Sequence, residues 1–107
     1  MTGRHVDAAA LEVPHAPAGH VVQGEPTTGV VELGTFGGVE VGVWEITPGV
    51  VTDTEADELF VVLSGAGSVR FADDSVVVLG PGSLVRLAEG ERTEWTITET
   101  LRKVYLA

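Results

Sequence analysis

From Gly29 to the C-terminus, turn signals interrupt the chain about every 8–12 residues, and each segment between them is short and rich in β-branched or aromatic residues. The turns read as Pro48-Gly49, Ser64-Gly65 with Gly67, Asp73-Asp74, Gly80-Pro81-Gly82 and Glu89-Gly90. Between them stand "GVEVGVW", "ELFVVL", "SVRFA", "SVVVL", "SLVRL", "EWTITE" and "LRKVYLA", all of strand length. In the first, Val39, Val41 and Val43 fall on one face and Glu40, Gly42 and Trp44 on the other, the period of two that a pleated strand imposes. No helical pattern of roughly 10–15 residues separates these runs. A parallel βαβ sheet is thereby excluded, and an antiparallel sandwich or barrel remains.

Residues 1–26 have a different character, dominated by Ala, Pro, Gly and His. Their one helical hint is "DAAALE", where Asp7 can cap a single turn too short to stand alone. They are expected to lie as an arm against one domain spanning 27–107, since 107 residues support a single core. A hydrophobic content of 44% fits a packed globule and not a disordered chain. The absence of cysteine removes disulfide scaffolds, thiolate nucleophiles and Cys-based metal sites from consideration. A formal net charge of −10 would repel nucleic acid and anionic membranes, so neither is an expected partner. No apolar run approaches the roughly 20 residues of a membrane helix, and "MTGRHVDAAALEV" lacks the charged-then-apolar order of a signal peptide. The expectation is a cytoplasmic protein.

"LFVVL" and "SVVVL" are apolar at nearly every position, so both faces of those strands need cover. In one small sandwich the outer face would meet water. A homodimer joined through that face is the expectation, and the alternative is that the arm covers it within one subunit.

Two longer stretches carry a resemblance. "TPGVVTDTEADELFVVLSGAGSV" resembles the first motif of the cupins, and "VLGPGSLVRLAEGERTEW" resembles the second. Cupins are double-sheet jelly rolls, all-β barrels with the site at the barrel mouth. In the first motif Glu58 stands at the glutamate place and Gly65 at the closing glycine; counting back, Thr54 and Thr52 take the histidine places. In the second, Pro81-Gly82 supplies the turn, Ala88 replaces a proline, Gly90 keeps the glycine and Thr93 takes the last histidine place. "VGVWEITPG", "QGEP" and "EWTI…LRKVYLA" are similar to the small single-domain cupins grouped with ureidoglycine aminohydrolase and the ethanolamine-utilisation cupin. The resemblance runs from about Val21 to Ala107 and implies the fold, while the superfamily hosts many unrelated functions.

The departures bear on chemistry. Metal-bearing cupins hold a divalent ion with three imidazoles and a carboxylate; hydroxyls at Thr52, Thr54 and Thr93 leave Glu58 as the only strong donor. No metal and no other cofactor is expected. His5, His15 and His20 have irregular separations and read as exposed arm residues, the alternative being an arm folded over the mouth that lends His20 to Glu58. Asp53, Glu55, Asp57 and Glu58 together have the oxygens for Ca²⁺ or Mg²⁺. Alternation argues against it: with Thr52 and Thr54 inward, Asp53 and Glu55 face outward as a charged rim.

The candidate site is therefore Glu58 with Thr52, Thr54 and Thr93, and with Trp95, Trp44 and Phe60 as aromatic walls. Trp95 is the first choice among the rings, two residues past Thr93 and on its face. Glu58 is either a carboxylate satisfied by the threonines or a general base raised by apolar surroundings with no cation nearby. Arg70, Arg86, Arg92 and Arg102 are further carboxylate partners or ligand anchors. Three functions follow: a metal-free protein binding a small organic molecule in the mouth; a hydrolase or isomerase using Glu58 as acid/base; or an accessory protein with a closed cavity.

Overall fold

The structure, a computed structural model, describes residues 3–107. Nine strands follow one another: β1 (Ala16–Pro17), β2 (Val21–Gln23), β3 (Thr27–Phe36), β4 (Val39–Ile46), β5 (Gly49–Thr54), β6 (Glu58–Phe71), β7 (Val76–Leu79), β8 (Leu84–Leu87) and β9 (Arg92–Leu106). All pairings are antiparallel. Among the described residues no helix is long and apolar enough to cross a membrane.

The long strands β6 and β9 build the barrel. The first half of β9 pairs with β5 and its second half with β4, while its other edge follows β6. β6 in turn pairs with β8 through its first half and β7 through its second. Two curled layers result, β3–β4–β9–β6–β8 and β2–β5–β9–β6–β7, sharing their central strands. This is the jelly roll that the turn spacing and motifs predicted.

Two expected interruptions are bends instead. Ser64 to Gly67 was read as a turn, and "EWTITE" and "LRKVYLA" as separate strands; β6 and β9 pass through both places unbroken. The register between them shifts three times from Val62 to Gly67, which bends β6 from one layer into the other. Gly65 permits this. Its φ is 96°, and a Cβ there would run into the backbone of Thr100 and Leu101. Asp73-Asp74 does make the tight turn expected, with Asp74 at φ 67° and the Asp73 carboxylate accepting from the Ser75 amide.

Inward side chains of both layers form one core that includes Ile46, Phe60, Val69, Leu87, Trp95 and Leu101. Outside it lies the arm. Asp7 accepts from the Ala9 amide and caps a single turn, Val13 is buried, and β1 and β2 extend the sheet beside β3 and β5. A polar cluster fastens the arm. Arg102 donates to the carbonyls of Ala8 and Ala9 and to Glu45, while His15 meets Glu45 at 2.7 Å and Thr27 at 2.9 Å.

Candidate functional site

The barrel mouth opens into a cavity of about 370 Å³. Trp44 from β4, Trp95 and Tyr105 from β9, and Val30 from β3 form its apolar wall. Asp53, Glu55, Glu58 and Lys103 supply its charge, and Ala18 to His20 of the arm close its rim.

Lys103 is the residue that sequence reasoning missed. It stands on β9 between Leu101 and Tyr105, opposite Trp44, so its side chain enters the barrel. Its Nζ donates to Glu58 Oε2 at 2.5 Å. Three rings surround the ammonium, with centroids 4.7 Å away at Trp44, 4.4 Å at Phe60 and 5.0 Å at Trp95. The pair is nearly dry, with side-chain exposures of 7% for Lys103 and 19% for Glu58. Burying two charges costs several kcal/mol per ion, and here the ion pair and the ring quadrupoles offset that cost together. The expectation that Glu58 has no cation nearby, or bonds to threonines, is thus corrected. The signal was present in "LRKVYLA", where a lysine takes the core-facing parity shared by Leu101 and Tyr105. The arginines weighed as its partners lie elsewhere: Arg102 binds Glu45, and Arg70 binds Glu94 and Asp74.

Asp53 pairs with Thr93 and Val51 with Trp95, so 51, 53 and 55 make up the inward set and Thr52 and Thr54 point away. The motif spacing counted back from Glu58 placed Thr52 and Thr54 inward instead. Residues 55–57 are not strand, and the loop resets the phase. Glu55 is held inward at both ends of its peptide unit, donating to the Glu91 carbonyl and accepting from the Gly90 amide, each at 2.8 Å. Asp57 stays outside and accepts from the Glu89 amide.

Glu55 is only 9% exposed. Its Oε2 accepts from the Thr93 hydroxyl at 2.6 Å and the Trp95 indole at 3.1 Å. Burial pushes its carboxyl above the ordinary value against the lowering effect of the Thr93 bond, and the Asp53 charge adds to the rise. Burial, with the charges of Glu32, Glu40 and Glu58, likewise keeps the Tyr105 hydroxyl protonated to higher pH than usual. Tyr105 lies over Gly42, where a Cβ would overlap its ring.

Of the residues expected at the site, Glu58, Trp44 and Trp95 line the cavity, while Thr52 meets it only at the rim, where its amide and hydroxyl both face the His20 carbonyl. Thr93 is buried behind it as the donor to Glu55, and Phe60 forms the floor beneath Lys103. Thr54 is turned to an open groove outside the mouth, with Arg70 and Arg92. His20 does reach the rim, its carbonyl accepting from the Thr52 amide at 3.0 Å. Among the described residues no three of His, Asp and Glu converge closely enough to hold a metal ion.

Two curled antiparallel layers, long shared strands and a cavity at the barrel mouth define a cupin jelly roll. The chain belongs to the EutQ-like cupin family, whose domain model matches residues 33–105. It is similar in structure to the EutQ protein of Clostridium difficile, at 16% identity and a TM-score of 0.76 over 95% of this chain and 83% of that one. A putative ethanolamine utilization protein Q from Salmonella typhimurium is 21% identical, with a TM-score of 0.65 over 75% of this chain and 68% of its own. A protein of unknown function from Rhizobium leguminosarum is 28% identical, with a TM-score of 0.67 over 74% and 78%. No curated protein matches the sequence.

Proposed function

We propose that this cupin binds a small organic molecule in the barrel mouth. The observation that carries this is the cavity itself, about 370 Å³ and walled by Trp44, Trp95 and Tyr105, with carboxylates directed into it. That size and that mixture of rings with a few polar groups are the marks of a small-molecule site. An accessory protein with a closed cavity would fill this space with its own side chains. A ligand that prefers the folded state raises the thermal midpoint, so a screen of small amines, amides, acids and sugars tests the reading. A hit is expected to lose its effect in Trp95→Phe, which keeps an aromatic ring but removes the indole N–H and part of the wall. Hits whose effect survives substitution of both tryptophans would place binding elsewhere and end the proposal.

One observation favours a second reading, an enzyme using Glu58 as acid/base: Glu58 is paired with Lys103 at the cavity wall, and Glu55, which lines the same cavity, carries a raised proton affinity. Turnover unchanged in Glu58→Gln would remove that role.

A further inference from the structure

The carboxylates of the mouth are only half used. Glu55 spends Oε2 on Thr93 and Trp95, Glu58 spends Oε2 on Lys103, and Asp53 spends Oδ1 on the Thr54 amide. No donor among the described residues reaches the second oxygen of any of the three. Among the described residues, no buried side-chain nitrogen or oxygen lacks a partner. Glu55 Oε1 and Glu58 Oε1 are therefore not sealed in protein, and both residues line the cavity, as Asp53 does. One small space thus collects three unshared acceptors. The Lys103 ammonium in the wall is already committed to Glu58.

The rings point the same way. Trp44 and Trp95 accommodate the Lys103 ammonium at about the distances cation–π attraction requires. The same rings, with Tyr105, face the cavity. At the scale of the molecule, a net charge of −10 draws cations toward the mouth and repels anions. The acceptors are too dispersed for one metal ion, yet they share a cavity large enough for an organic group. That combination selects for size as well as charge.

We infer that the mouth takes a small organic cation of the alkylammonium type, with its N–H groups on Asp53, Glu55 and Glu58 and its carbon body against Trp44, Trp95 and Tyr105. The inference rests on the proposal that the mouth binds a small molecule, and it adds the ligand's charge and chemical class. A carboxylate of equal size would meet an acidic wall whose ammonium is already paired with Glu58, and a neutral amide would leave the charge of the site unanswered.

Three near-isosteric probes separate these cases: propylammonium, propionamide and propionate, titrated at constant ionic strength. Only Trp44 and Trp95 carry indoles, so two indole N–H resonances in a nitrogen–proton correlation spectrum report on the wall directly, with Trp44→Phe assigning them. Propylammonium is expected to shift the Trp95 resonance saturably, with the other two at least about tenfold weaker. Asp53→Asn changes an exposed side chain, and Glu55→Gln keeps an acceptor for Thr93 and Trp95; each is expected to weaken propylammonium by about tenfold. The spectrum of each variant also shows that it is folded. Propionamide or propionate binding as tightly as propylammonium would overturn the cation assignment while leaving a small-molecule pocket. Equal affinity in both variants would overturn it too. No saturable shift from any probe would overturn the cation assignment, while the wider thermal screen still decides whether the mouth binds a small molecule.

Discussion

Lys103 and Glu58 share one interaction, and its energetics set what each substitution does. A buried ion pair contributes little net stability, because desolvating two charges costs nearly as much as their attraction returns. Removing one partner is different, since it strands the other charge in a nearly dry site. Lys103→Met keeps the length of the stem between Trp44, Phe60 and Trp95 but leaves Glu58 unpaired. It is expected to destabilise the fold by about 3 kcal/mol, read as a lower urea midpoint. The double variant Lys103→Met/Glu58→Leu is expected to recover most of that loss, because no charge is left stranded. A double variant as unstable as Lys103→Met would mean that the ammonium's contacts with the rings, and not the charge pairing, hold this wall together.

At the scale of elements, the arm depends on the cluster of Glu45, Arg102 and His15 on the outer side of β4 and β9. Burial alone would raise the Glu45 carboxyl, but its bonds to Arg102 and His15 outweigh burial and lower it. A carboxyl lowered on folding adds stability that is present above the pH where an exposed glutamate titrates and is lost as pH falls through the lowered folded value. Glu45→Gln is therefore expected to cost about 1–2 kcal/mol at neutral pH and progressively less toward acid. Urea midpoints of both proteins across that range measure it; a gap that persists at the acid end would show that the charge is not the cause. The same scale explains what was legible in the sequence. Turn spacing and the period of two reveal the strands, because both follow from local backbone geometry. The bends at Gly65 and near Thr98 were hidden, because they depend on how β6 and β9 pair over a long sequence distance. Parity was legible inside strands, as for Trp44 on the face opposite Val41 and Val43, and illegible across 55–57, where no alternation rule holds. That short loop moved Glu55 from the expected rim to the wall of the cavity.

At the scale of the whole molecule, the outer face of the β8–β6–β9–β4 layer carries exposed apolar side chains. Register places Leu84, Val61, Val104 and Val43 in one row across β8, β6, β9 and β4, with Arg86, Leu59, Leu106 and Val41 in the next. At the β4 end Val43 is fully buried although it faces outward. At the other end Leu84 is 67% exposed and Leu59 38%. Apolar patches of this kind on small soluble domains mark contact surfaces more often than idle ones. We propose that a second copy of the chain covers this face. A two-fold arrangement would set each leucine row against its equivalent and leave both mouths free, since the cavity opens on the inner side of the sheet. The charge of −10 on each subunit opposes association, so such a dimer is expected to tighten with added salt. Sedimentation equilibrium should return twice the 11.2 kDa chain mass, and Leu59→Asp/Leu84→Asp should return the chain mass with the fold intact. A wild-type protein that stays at the chain mass in high salt would leave these leucines as plain solvent-facing residues and remove the second copy from the account.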